Sequence, residues 1–213
     1  MPLADYPLNA EGVWCEVLTT PRPGRPALFL DRDGAIVEDT EYLWRVEDIA
    51  MIAGAAAVIA AANERGMPVV LVTNQAGIGR GYYGWSEFKR VQEAIVAALA
   101  AEGARLDAVY ACAHHPEGRD GFAHPVHPAR KPNPGMLLQA ASDLAIDRKM
   151  SWLVGDKASD VEAAKRASLA GAMQVATGHG MAERARVADL ATPTFEVRFG
   201  RSIADAMTLP ILR

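Results

Sequence analysis

The stretch "ALFLDRDGAIVED", residues 27–39, begins as an apolar run and ends in two carboxylates, Asp31 and Asp33, with Gly34 directly behind them. A short continuous apolar run closed by a turn signal reads as a strand buried on both faces, the character of a parallel sheet. The same signature recurs in "PVVLVTN" (68–74), "DAVYACA" (107–113), "MSWLVGD" (150–156) and "AMQVAT" (172–177). Helical segments separate these runs. "GAAAVIAAANERG" (54–66) ends at a glycine stop, and "WSEFKRVQEAIVAALAAEG" (85–103) sets Phe88, Val91, Ile95 and Leu99 on one face. "PGMLLQAASDLA" (134–145) carries Pro134 near its first turn, and "ASDVEAAKRASLAG" (158–171) follows the fourth strand. This alternation predicts an α/β fold, a Rossmann-like three-layer sandwich whose mainly parallel sheet has helices on both faces. The segment before Ala27, with "TTPRPGRP" just ahead of the strand, reads as an extended N-terminal arm over residues 1–26. Residues 27–213 then read as a single domain. Around Tyr42, Leu43, Trp44 and Ile49 no period is clear.

Composition excludes several classes. With half of its 213 residues hydrophobic and 23% charged, the chain has the make-up of a globular domain with a full core. A formal net charge of −4 argues against general nucleic-acid binding, which needs a basic face to release counterions. Two cysteines, Cys15 and Cys112, make no disulfide framework, so a reducing cytoplasm is the expected setting. The first residues lack a basic region followed by an apolar core, the mark of a signal peptide. No apolar run approaches the roughly 20 residues of a membrane span. The expected protein is a cytoplasmic monomer that meets neither membrane nor nucleic acid.

In an open α/β sheet, ligands bind beyond the carboxyl ends of the strands. Asp31 and Asp33 close the first strand, Thr73 and Asn74 the second, Gly155 and Asp156 the fourth. One strand ending in an acid is ordinary solvation or a helix cap. Three apolar strands releasing polar residues at one rim point to a site.

Here the chain resembles a known family. "DRDG", "TNQAG", "RKPNPGM" and "GDKASD", in that order, resemble the four signature motifs of the haloacid-dehalogenase-like phosphohydrolases. The fuller strings "FLDRDGAIVED", "TNQAGIGRG" and "ACAHHPEG" resemble the branch that holds heptose bisphosphate phosphatases and histidinol-phosphate phosphatase domains. The resemblance implies a phosphomonoesterase acting through an aspartyl-phosphate, a covalent intermediate that divides one difficult step into two. It implies Asp31 as nucleophile and Asp33 as the acid and later base. It implies Mg²⁺ held by Asp31, the main-chain carbonyl of Asp33 and Asp156, with Asp160 in support; hard oxygen donors suit that ion. Lys131 matches the family lysine that offsets the negative charge. Thr73, Asn74, Gln75, Arg130 and Lys157 are the expected substrate contacts, Arg130 through a bidentate grip on a second phosphate or a sugar oxygen. Gly34 lets the backbone turn close to the phosphate.

The resemblance has departures. Ala35 and Ala76 stand where relatives carry Thr and Ser, each removing one supporting hydrogen bond, about 0.5–1.5 kcal/mol. Relatives also carry Cys-x-His and Cys-x-Cys ahead of "RKP", a closed zinc site. This chain keeps Cys112 and His114, but the later pair is His127 and Ala129. Two readings stand: His124 replaces the lost ligand and Cys112, His114, His124 and His127 hold Zn²⁺, with His115 spare, or the loop folds without metal, stiffened by Pro116, Pro125 and Pro128.

No segment is long enough for a large cap domain, so substrate selection falls to loops, with Tyr42 and Trp44 as candidate wall residues. The resemblance implies a heptose 1,7-bisphosphate cleaved at position 7. Histidinol phosphate and another small sugar phosphate are the alternatives within the enzyme class. Outside it stand an idle binding module on the same fold and a metal carrier using the histidine-rich loop.

Overall fold

The computed structural model describes residues 6–213. Strand β2 (Leu28–Leu30) forms from the opening stretch and lies at the centre of a seven-stranded sheet. The others are β1 (Trp14–Val17), β3 (Val69–Asn74), β4 (Ala108–Cys112), β5 (Trp152–Gly155), β6 (Gly171–Val175) and β7 (Glu196–Gly200), in the spatial order β1-β4-β3-β2-β5-β6-β7. All neighbouring pairs are parallel except β1 with β4. The five strands anticipated from apolar runs are all present. Consecutive side chains alternate across the sheet: Leu28 and Leu30 join the core on one face, Phe29 the core on the other. Both faces are therefore dry, which is why these strands read as unbroken apolar runs.

The helices are α1 (Ala55–Glu64), α2 (Ala76–Gly79), α3 (Trp85–Ala101), α4 (Gly135–Asp143), α5 (Ala158–Arg166) and α6 (Gly180–Val187). Phe88, Val91, Ile95 and Leu99 of α3 are all buried, as their spacing anticipates, in one core with Leu71 and Val154. The opposite core joins Leu137 of α4 and Val161 of α5 to Val70, Val72 and Tyr110. Among the described residues no large cap interrupts the fold.

The segment read as a motif-free arm is not one throughout. Its residues 14–17 form β1, which pairs antiparallel with β4 in the register Trp14↔Ala111. The anchor is Trp14, 1% exposed, with its ring 5.5 Å from that of Trp85 and 5.2 Å from that of Phe88. Edge strand β7, helix α6 and the short α2 also went unread in the sequence. Each has few buried residues or only four positions, too little for a periodic signal.

Chain direction positions the site. From β2 the chain proceeds through β3 to β4 on one side, then returns to β5, β6 and β7 on the other. Strand β2 thus lies between β3 and β5, where the order of winding reverses and a crevice opens at the carboxyl ends.

Candidate active site

Because β2, β3 and β5 are neighbours, the residues that follow them meet. Asp31, Asp156 and Asp160 are buried and offer carboxylate oxygens within 4.8 Å of one another. Lys131, from the loop before α4, is 3% exposed and enters this cluster. Its Nζ lies 2.8 Å from Asp31 Oδ1 and 2.6 Å from Asp160 Oδ1, and it donates to the Val72 carbonyl at 2.8 Å. Asp160 also caps α5, its Oδ2 accepting the Lys157 N–H at 3.0 Å. Lys131 pairs with two of the three carboxylates, and the charge of Lys157 reaches Asp31 and Asp156 from farther off. Burial, then the charges of Asp31 and Asp160, push the Asp156 carboxyl up to about 8, and burial raises that of Asp160. The cluster is short of positive charge.

A divalent cation fits there. Asp156 Oδ2 accepts the His179 N–H at 2.7 Å, but its buried Oδ1 has no hydrogen-bond partner. The donors are hard oxygens. Space around Asp156 is kept by Gly34 at φ +83°, where a Cβ would come within 2.7 Å of Asp156 Oδ2. Asp31 and Asp156 would hold the ion, with Asp160 restrained beside them by Lys131.

Asp33 stands apart from this cluster in a network of its own. Arg32 Nε donates to its two oxygens at 3.0 and 3.2 Å, and Gln75 Nε2 to Oδ2 at 3.1 Å. Arg32 is fully buried, its guanidinium carbon 5.5 Å from the centre of the Phe88 ring. Burial pushes the Asp33 carboxyl up, partly offset by Arg32, and the charge of Asp31 raises it further. A carboxyl that holds its proton more readily than usual suits a general acid.

Gln75 borders the cavity, as expected of a substrate contact, with its amide turned inward. It is 1% exposed, and besides Asp33 its amide donates to Thr73 Oγ1 at 2.8 Å. Its Oε1 accepts from Tyr83 at 2.6 Å and from Arg32 at 3.2 Å. Every polar atom is engaged, so Gln75 orients Asp33 although it borders the cavity. Thr73, equally buried, is not among the residues bordering the cavity. Asn74 borders it, but its amide clasps the Lys131 backbone, donating at 3.0 Å and accepting at 3.1 Å. Arg32 sits inside the first motif yet no pattern marked its partners, and Tyr83 carried no sequence signal at all.

Above the acids opens a cavity of about 460 Å³. Its wall includes Lys157, Arg130, Arg80, His115 and Tyr42. Arg130 donates to the His114 carbonyl at 3.0 Å. Arg80, which the sequence reading passed over, donates to the Tyr42 hydroxyl at 2.7 Å and pairs with Glu117 at 2.7 Å. Tyr42 is a wall residue as anticipated. Trp44 is not: it is 44% exposed, outside the cavity, with Arg45 over its ring.

The histidine-rich loop does not assemble the zinc site raised above. Cys112 Sγ is 3.9 Å from His127 Nδ1, and the His114 and His127 rings stack in parallel at 3.8 Å with the His124 ring edge-on to His127. One nitrogen of each ring is engaged elsewhere, while His114 Nδ1 is buried without a partner. His127 Nδ1 accepts the Ala129 N–H, His124 Nδ1 accepts the Val126 N–H, and His114 Nε2 donates to the Glu11 carbonyl. Among the described residues only Asp31, Asp156 and Asp160 converge as a ligand set. With Ala129 in place of a ligand, stacking and backbone hydrogen bonds organise this loop. His115 faces Arg80 in the cavity wall instead.

Known proteins share this architecture. A family model described as HAD-hydrolase-like matches residues 128–198. A D-glycero-β-D-manno-heptose-1,7-bisphosphate 7-phosphatase of Mesorhizobium japonicum is 48% identical over 78% of this chain and 77% of its own length. The α-anomer counterpart of Burkholderia mallei is 44% identical over 67% of this chain and 76% of its own. Among solved structures, the D,D-heptose 1,7-bisphosphate phosphatase of B. bronchiseptica, complexed with magnesium and phosphate, superposes with a TM-score of 0.73 at 28% identity, covering 84% of this chain and 94% of that one.

Proposed function

The chain belongs to the haloacid-dehalogenase-like hydrolases, and on that premise we propose that it is a Mg²⁺-dependent D-glycero-D-manno-heptose 1,7-bisphosphate 7-phosphatase. The observation that carries the reading is the separation of two acid environments at one rim. Asp31 is paired with Lys131 inside the acidic cluster, while Asp33 is held by Arg32 and Gln75 outside it. Such a division suits two different jobs for two carboxylates two residues apart.

In this reading Asp31 attacks the phosphorus and forms an aspartyl-phosphate as the sugar oxygen leaves. Asp33 delivers its proton to that oxygen, then takes one from the water that hydrolyses the acyl phosphate. Lys131 and the carboxylates position the attack in line. Bound Mg²⁺ supplies the positive charge that lets an anionic nucleophile approach a phosphate. Arg130, Arg80 and Lys157 on the wall favour an anionic sugar over a neutral one, and two phosphates over one. Cytoplasmic biosynthesis of an activated heptose, by a monomer, is the setting we propose; no described helix is long and apolar enough to cross a membrane.

The test is phosphate release from the heptose bisphosphate with Mg²⁺, beside histidinol phosphate at equal concentration. A kcat/KM above about 10⁴ M⁻¹s⁻¹ for the heptose, with the other far slower, is expected. Comparable rates on both would move the substrate to the alternative. In the same assay Asp31→Asn should abolish turnover; an active Asp31→Asn protein would sink the mechanism.

A further inference from the structure

We propose that Asp39 is a positioning residue that fixes the Lys157 ammonium at the rim of the cavity, with His179 as the second arm of the clamp. Asp39 closes the fuller string "FLDRDGAIVED" and lies outside the four short motifs, and no role attaches to it there. Its side chain is 6% exposed and does not border the cavity. One oxygen, Oδ1, accepts the Glu41 N–H at 2.8 Å and locks the side chain in its own turn. The other, Oδ2, lies 3.0 Å from Lys157 Nζ and 3.2 Å from His179 Nε2. The same histidine donates its backbone N–H to Asp156. A single carboxylate thus ties together the loop after β2, the loop after β5 and the turn before α6.

The consequence concerns Lys157. A lysine side chain loses rotamer freedom when held in one geometry. An anchored ammonium has already lost that freedom before substrate arrives, whereas a free one loses it on binding. Lys157 borders the cavity with its side chain 37% exposed; Asp31 and Asp156 attract its ammonium from farther off, and Asp39 is the carboxylate that grips it at ion-pair distance. The cost of losing the anchor should therefore fall on binding.

The experiment is a double-mutant cycle with Asp39→Asn and Lys157→Met, measured on any phosphomonoester that the protein turns over. Asparagine keeps an acceptor for the Glu41 N–H, so the turn survives; melting temperature serves as the control. Asp39→Asn alone should raise KM about tenfold and leave kcat within about threefold. In the Lys157→Met background it should add less than about twofold, because the residue it acts through is gone. Equal losses in both backgrounds, a loss that follows the melting temperature, or unchanged kinetics would each overturn the proposal. It rests on the phosphomonoesterase reading, and the two fail differently. A wild-type protein that turns over no phosphomonoester fails that reading. The Kd for inorganic phosphate, compared by calorimetry across the same four proteins, would still decide the role of Asp39.

Discussion

At the scale of single residues, the site separates groups by what their surroundings do to charge. Burial, then the neighbouring His114 and His124, pull the His127 imidazole down to about 4. In the unfolded chain it titrates near its ordinary value of about 6.5. Between those values the unfolded state binds the extra proton, so stability rises with pH across the window and is lost as pH falls through it. The melting temperature should therefore drop between pH 6.5 and 4, and His127→Gln should flatten the drop. A slope unchanged in the variant would show that the stack does not set it. Gly34 is the backbone counterpart: at φ +83°, with Asp156 2.7 Å from any added Cβ, Gly34→Ala should weaken Mg²⁺ activation while leaving the fold intact, as read by a Mg²⁺ titration of activity.

Among the elements, β1 has the largest effect for its size. It has four residues and pairs only at the sheet edge, yet Trp14 fills the space between β1, Trp85 and Phe88. Trp14→Ala should cost about 3–5 kcal/mol in denaturant unfolding, the range for deleting a large buried aromatic. KM should change little, since Trp14 reaches the site only through Phe88, whose ring packs against the Arg32 guanidinium. A loss below about 1 kcal/mol would mean that the edge strand is an ornament on a core complete without it.

For the whole molecule, the acidic cluster couples metal to stability. In the metal-free protein the Asp156 carboxyl, raised to about 8, stays protonated where the unfolded chain has already released its proton. Its contribution is present at acid pH and is lost as pH rises toward 8, the opposite sign to His127. Mg²⁺ favours the charged form, so the rise in melting temperature on adding Mg²⁺ should grow from pH 6 to pH 8. At a concentration 100 times Kd, the ion contributes about 2.7 kcal/mol by mass action. A Mg²⁺ effect independent of pH would remove Asp156 from the ligand set. Zinc titration should give no comparable rise, because among the described residues Cys112, His114, His124 and His127 do not converge as a ligand set.

What the sequence determined by itself was the local physics. Five buried strands are visible because a strand dry on both faces is an unbroken apolar run, and the helices between them because a one-sided helix repeats every 3.6 residues. The candidate acids are visible because they sit where those runs end, and the order of winding forces the ends together. What only the tertiary structure decided was every partnership between distant segments. Asp39 meets Lys157 across 118 residues, and the Gln75 amide turns inward to Asp33 because Tyr83 and Arg32 close over its carbonyl. The His114 and His127 rings stack across their loop, with the Ala129 N–H on His127 Nδ1. Such contacts depend on where two remote chain segments pack, and sequence periodicity records only which face of an element is dry.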